Sequence, residues 1–290
     1  SSLPGLPQIG MVVVPTSSPE DYDFLKKFFQ ERNITTQFVT EAKAMEAKTA
    51  VVGKILMQMM TKMNIFPWTA DFRGISLHPA GTMFVGIDVV REGRGFGNRQ
   101  HLVTMVSSNN KEYTQYYSQA EHCTEGVTCI GTFFKKALDS WAVHNTPQEQ
   151  LQTQPCYPRG CFIYRNGVSD AEIDRIEKEE LPSLKKLAED HAVTMDYILV
   201  LRKGNTRVFN FEGTLQPGTV IDKAITTHPL DTEVFKQGDF FLVSQPCIPD
   251  RPGPGSTLRP THYRLILHQT PVPMDQLELL TVKLSLLYFN

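Results

Sequence analysis

Two short runs place basic and amide side chains at helical spacing. Tyr22 and Lys26 are four residues apart, and Lys54, Gln58 and Lys62 repeat that step twice. Residues four apart share a helix face, so each run gathers cations and hydrogen-bond donors on one side. Gln37 lies between the two runs. A phosphate requires this kind of concentrated positive charge with directed N–H or O–H donors. Ordinary solvated lysines flanking two amphipathic helices would show the same spacing. Asp88 sits inside the apolar run GIDVV, where a charge is costly unless it pairs or serves a purpose. Arg202, Lys203 and Arg207 surround the Gly204-Asn205 step. With Arg165 and Arg259 they could line a channel for a polyanionic backbone, the alternative being a solvated hairpin tip.

The elements that must carry these residues alternate in type. MVVV at 11–14 is a β-branched run, and the segment from Pro19 opens a helix with Ser18 as N-cap and a Phe24, Leu25, Phe28 and Phe29 stripe. TTQFV at 35–39 suggests a strand. Residues 42–63 read as one long helix burying Val51, Val52, Ile55, Leu56, Met59 and Met63. Strand–helix–strand–helix is an α/β unit, half of a doubly wound domain. Further on, strands are expected at 83–90, 101–107 and 113–118, with Ser-Asn-Asn-Lys turning the last pair. A helix at about 126–144, a polar loop at 145–159, a strand at 161–165 and a helix at about 169–190 follow. The mixed charges of 175–190 suggest an exposed helix face. Strands at 197–202, 207–211, 239–244 and 263–268 and a helix at 274–288 complete the reading.

The 290 residues suffice for one large domain or two ordinary ones. The formal net charge is −2, so a nucleic-acid site has to be a local basic patch. Five Cys without a CxxC pair argue against a disulfide framework or zinc site and for a reducing intracellular setting, cytoplasmic or nuclear. No apolar stretch is long enough to span a membrane, and SSLPGLPQIG lacks the regions of a signal peptide. A metabolic α/β enzyme would want a GxGxxG loop or a GxSxG elbow, and neither is present.

GIDVV (86–90), YRNGVSD (164–170), YILVLRKGNTRVF (197–209), LQPGTVIDKAITTHP (215–229), DFFLVSQ (239–245) and RPTHYRLI (259–266) occur in an order that resembles the PIWI domains of the Argonaute family, and of its Piwi clade in particular. Upstream, DYDFLKKFF, TTQFV and KILMQMMTKMN resemble the second half of a MID domain. The resemblance implies an RNase H-like PIWI domain at 76–290, preceded at 1–75 by half of a Rossmann-like MID domain. It implies that the late segment bearing the family's fourth catalytic residue lies beyond Asn290, and that His262 is structural. It also implies that Tyr22 stacks on the first base of a small guide RNA. Lys26, Gln37 and Lys62 would hold its 5′ phosphate, with Lys54 or Gln58 assisting. A complementary target RNA and silencing-complex proteins are the further partners implied.

The family is an RNase H-type endoribonuclease that clusters Mg²⁺ (or Mn²⁺) with carboxylates. By resemblance Asp88 takes the first position and binds metal, Glu125 takes the second with Glu121 as competitor, and Asn166 stands where the family has Asp. A carboxamide is neutral, so metal should bind weakly. The expectation is a guide-binding silencing protein in which target cleavage is weak or absent. The alternative is a slicer in which Asn166 is an engineered, inactivating substitution.

Overall fold

The computed structural model describes residues 9–16, 18–46, 48–92, 100–123, 129–202, 205–208, 215–226, 238–244 and 260–287. The chain divides into two compact units, the first ending at Thr69 and the second running from Ala70 to Leu286.

In the first unit β1 (Gly10–Val14) pairs in parallel with β2 (Thr36–Thr40) through the crossover helix α1 (Pro19–Gln30). Ser18 caps α1, its Oγ accepting the Asp21 amide at 3.3 Å, and Pro19 occupies the first helical position, where no N–H is needed. The expected long helix is two: α2 (Glu41–Glu46) and α3 (Thr49–Lys62). Lys48 takes extended backbone, ψ 132°, which interrupts the hydrogen-bond ladder between them. The expected buried stripe of α3 is not buried. Val52 and Leu56 are exposed, as are Phe24 and Phe28 on α1, because the described two-stranded sheet covers only part of each helix.

The second unit is built on β3 (Thr82–Glu92), β4 (Gln100–Ser108), β5 (Tyr116–Cys123), β6 (Gly160–Arg165), β7 (Thr194–Leu201), β8 (Val220–Ile221), β9 (Gly238–Leu242) and β10 (Thr261–Leu267). Among the described residues these form one mixed sheet in the order β5-β4-β3-β6-β7-β10-β9-β8. The β3–β6–β7 centre is parallel and the flanks are antiparallel. Parallel strands need covering helices. α4 (Ile130–Asn145) supplies Ile130, Phe133, Phe134, Ala137, Leu138 and Trp141, the i, i+3, i+4, i+7, i+8 and i+11 positions of one helix face, all buried against Met83, Val85 and Ile87 of β3 and their neighbours. Truncating one of these aromatics to Ala would cost about 3–5 kcal/mol. Gly81, at φ +121°, leaves room for Trp141, since a Cβ there would lie 2.9 Å from the indole.

β5 starts later than the expected 113–118 because Asn110 closes a longer turn. Its Oδ1 accepts the amides of Thr114 at 2.9 Å and Gln115 at 3.0 Å, and Tyr113 takes φ 55°. The short β8 was not anticipated. Of the strand expected at 207–211, residues 207 and 208 are irregular and the rest lies outside the described residues.

The helical run after β6 passes through α5 (Ile173–Arg175), a π turn at Ile176–Glu180, and α6 (Leu181–Asp190). The exposed-face expectation fails at Glu180, which is fully buried. It accepts from Arg165 Nε at 3.2 Å and from the Tyr197 hydroxyl. Asp196, also buried, organises the turn after β10, accepting Gln269 N at 2.8 Å, Thr270 N at 2.9 Å, Thr270 Oγ1 at 2.7 Å and His268 Nδ1 at 3.0 Å. The structural reading of His262 agrees with its position: it stacks on Phe241 and hydrogen-bonds Asp239 at 2.7 Å.

The last helix, α7 (Met274–Ser285), buries Glu278, whose Oε1 has no partner within the described residues. Burial, reinforced by Asp222 and Asp275, pushes its carboxyl from 4.5 up to about 7. A carboxyl that ionises earlier in the unfolded chain than in the folded one costs stability as pH rises. That loss should build between pH 4.5 and about 7 and then level off. Glu278→Gln should flatten this part of the Tm–pH profile and melt higher than the parent above neutrality, as thermal denaturation followed by circular dichroism would show.

Candidate nucleic-acid interface and acidic strand end

Four of the residues singled out in the first unit, Lys26, Gln37, Gln58 and Lys62, converge on the start of β2. Lys26, from α1, places Nζ 3.2 Å from Thr36 Oγ1. Lys62, from the end of α3, donates to the Thr36 carbonyl at 2.9 Å and to Gln37 Oε1 at 2.7 Å. Gln37 Nε2 donates to Gln58 Oε1 at 2.9 Å. Thr36 thus bridges two ammonium groups, and no described carboxylate pairs with either. Desolvation holds the Lys62 ammonium below the usual lysine range, and Lys26 pushes the same way. A bound anion would oppose both effects by favouring the charged ammonium.

Tyr22 meets Phe38 edge-on, with ring centroids 4.8 Å apart, and remains 43% exposed, leaving ring surface free to stack. Tyr22, Gln37, Lys54 and Gln58 line a cavity of about 510 Å³ in this unit. Sequence reasoning missed Thr36, a small residue with no charge to mark it, and Lys43, which also lines the cavity.

The second unit brings Asp88 and Asn166 together. β3 and β6 run parallel with Ile87 opposite Arg165, and the pairing continues past the strand end as Asn166 N donates to Ile87 O at 2.8 Å. Asn166 Nδ2 then reaches Asp88 Oδ1 at 3.2 Å. Gly167, at φ +75°, crosses so close to β3 that a Cβ would lie 2.5 Å from Val89 O and 2.9 Å from Asp88 Oδ1. Only glycine fits there.

This pair offers one carboxylate and one neutral amide. The described residues contain no group of three or more His, Cys, Asp or Glu side chains able to hold a metal ion. A two-cation centre needs several hard anionic ligands, so the described residues do not fit one. Glu125 lies outside the described residues, in the segment between β5 and α4. The flanking Cys123 and Cys129 sulfurs are 2.8 Å apart, and Glu121, the competitor, sits exposed on β5.

The expected basic channel is only partly visible. Arg165 is a correction: its side chain is 6% exposed and is held by Glu180 inside the fold, so it cannot line a surface groove. A buried pair of this kind is kept in place because removing either partner strands a charge. Arg202 is exposed, Arg207 is half-buried with Nη1 on the Thr206 carbonyl at 3.0 Å, and Lys203 and Arg259 lie outside the described residues.

The Piwi domain family model matches residues 9–290. The chain belongs to the Piwi domain family. It is 31% identical to Piwi-like protein Siwi of Bombyx mori over 98% of its own length and 30% of that protein's. It is 29% identical to human Piwi-like protein 3 over 96% of its length and 30% of the relative's. The chain thus spans about 30% of the curated relatives it matches. Among solved structures, Kluyveromyces polysporus Argonaute with a guide RNA superposes with a TM-score of 0.74 at 16% identity, covering 95% of this chain and 34% of that one. The C-terminal lobe of a budding yeast Argonaute gives 0.70 at 17% identity, covering 93% and 55%. These structural likenesses establish the Argonaute-type, RNase H-like fold.

The Gly167 crossing gives a stability test. Gly167→Ala must shift the backbone out of the left-handed region or push β3 aside. Holding alanine at that left-handed φ would by itself cost about 1–3 kcal/mol. A clear drop in Tm is expected, while Gly53→Ala on the surface of α3, where a Cβ meets nothing within 4 Å, should leave Tm unchanged or raise it.

Proposed function

We propose that this chain is the guide-binding part of a small-RNA-guided silencing protein, and that it cuts targets weakly or not at all. The observation that carries the binding half is the convergence of Lys26, Lys62 and Gln37 on Thr36 beside the exposed Tyr22 ring. Two ammonium groups without a described counter-charge, a directed amide and an aromatic face suit a terminal phosphate followed by a base. The first unit is read as the MID-like half and the second as the PIWI domain, with the compact units dividing at Thr69/Ala70 and the expected boundary at 75/76. The yeast Argonaute it resembles in fold was solved with a guide RNA, which supports the same class of ligand here. Complementary target RNA and proteins of a silencing complex are the corresponding partners. Among the described residues no helix is long and apolar enough to cross a membrane, and the setting proposed is intracellular.

Reversing the charge at the phosphate pocket tests the binding half. Lys62→Glu should weaken binding of a 5′-phosphorylated guide by at least tenfold, a loss of about 1.4 kcal/mol. It should erase the preference over the same RNA with a 5′ hydroxyl, measured by filter binding at fixed salt. Unchanged preference would remove the pocket.

The cutting half rests on Asn166, whose neutral amide replaces a charge that Mg²⁺ or Mn²⁺ would need. Guide-loaded protein incubated with complementary target and either cation should give no single-site product. Because Asn166 already sits beside Asp88, the geometry also accommodates the second reading, a slicer silenced by one substitution. On that reading Asn166→Asp would yield a product at one position; robust cutting by the unaltered chain would sink the weak-cleavage proposal.

A further inference from the structure

Asn166-Gly167 is the sequence's one Asn-Gly step. Asparagine followed by glycine is the pairing most open to intramolecular attack, because no Cβ shields the following amide nitrogen. Three features of the fold bear on that reaction. Gly167 is exposed, and its N–H has no hydrogen-bond partner among the described residues, so the attacking nitrogen is free. Arg165 Nη1 donates to the Asn166 carbonyl, which belongs to the same peptide group as the Gly167 nitrogen. A guanidinium on that oxygen draws electron density out of the peptide and makes its N–H more acidic. Loss of that proton is the step that creates the nucleophile. The side-chain amide, for its part, is held at one end only, by the 3.2 Å contact of Nδ2 with Asp88.

We infer that Asn166 is a deamidation site in the folded protein, and that the chain thereby converts its neutral residue beside Asp88 into an acid. The Gly167 nitrogen gives up its proton to solvent and bonds to Asn166 Cγ. The Cγ–Nδ2 bond breaks, and the amine takes a proton and leaves as ammonia. Water then opens the cyclic imide. Opening at Cγ gives aspartate and opening at the backbone carbonyl gives isoaspartate; in sum one water is consumed and one ammonia released. Neither oxidant nor cofactor is required. The aspartate product carries a carboxylate where the amide stood, facing Asp88; the isoaspartate product carries its new carboxylate on the former backbone carbonyl carbon. Two like charges at that distance hold a proton between them or recruit a cation. Position 166 would then be acidic in a fraction of molecules that grows with the age of the protein, although the sequence has Asn there.

The test is incubation of the intact protein in heavy-oxygen water near neutral pH, followed by proteolysis and mass spectrometry of the peptide spanning residue 166. The synthetic, unfolded peptide Tyr164–Asp170 runs in parallel. The expected result is one heavy oxygen at position 166 of the folded chain, accumulating faster than at any other Asn and rising with pH. Asn166→Gln, which keeps a neutral amide but disfavours the cyclic imide, should abolish the label while circular dichroism shows an unchanged fold. An unlabelled residue 166 in the folded chain, over a period in which the free peptide is labelled, would overturn the inference. The label is read without guide, target or metal, so its outcome is independent of the guide-binding reading.

Discussion

The parallel pairing of β3 with β6 continues one residue beyond the strand, and the acidic site exists because it does. The Asn166 N–H on the Ile87 carbonyl carries the chain level with Asp88, and the glycine that follows lets it cross over β3 without a side chain in the way. The strand behind this crossing is anchored from the inside. Arg165 and Tyr197 both bind Glu180, which a π turn swings into the core. An extra residue in one helical turn is a common device at functional sites. Here it delivers a carboxylate to a guanidinium that would otherwise be stranded without a counter-charge.

The first unit meets the opposite electrostatic problem. Its two ammonium groups are brought together by a threonine that satisfies each with a different oxygen. Hydrogen bonding makes the arrangement tolerable without neutralising it, and desolvation leaves Lys62 easier to deprotonate than a surface lysine. A site of this kind is organised before its ligand arrives, so little ordering entropy remains to oppose an anion. It also shows how a chain of net charge −2 can gather two ammonium groups at one point.

The two sites respond differently to a single substitution. An amide and a carboxylate have nearly the same shape, so replacing one by the other leaves strand pairing, the glycine crossing and the core untouched while removing the charge that metal chemistry depends on. The same tolerance appears across the family. A fold with a TM-score of 0.74 to an Argonaute survives at 16% identity because strand alternation and the apolar stripe of α4 determine it, and those patterns admit many sequences.

Much of this was legible in the residues. The order of the motif blocks indicated the fold, helical spacing placed Tyr22 with Lys26 and Gln58 with Lys62, and Asn166 stood visibly neutral where the family resemblance implied an acid. What the sequence could not determine was which charges turn inward. Arg165 and Glu180 both read as surface residues, because nothing local distinguishes a solvated charge from one whose partner lies fifteen positions away. The stripe of α3 read as buried, because periodicity shows which face is apolar but not how much sheet is there to cover it. Thr36 carried no signal, since its role is to offer two oxygens to lysines from two different helices. Local pattern is written in neighbours along the chain; these contacts join residues that only the folded backbone makes neighbours.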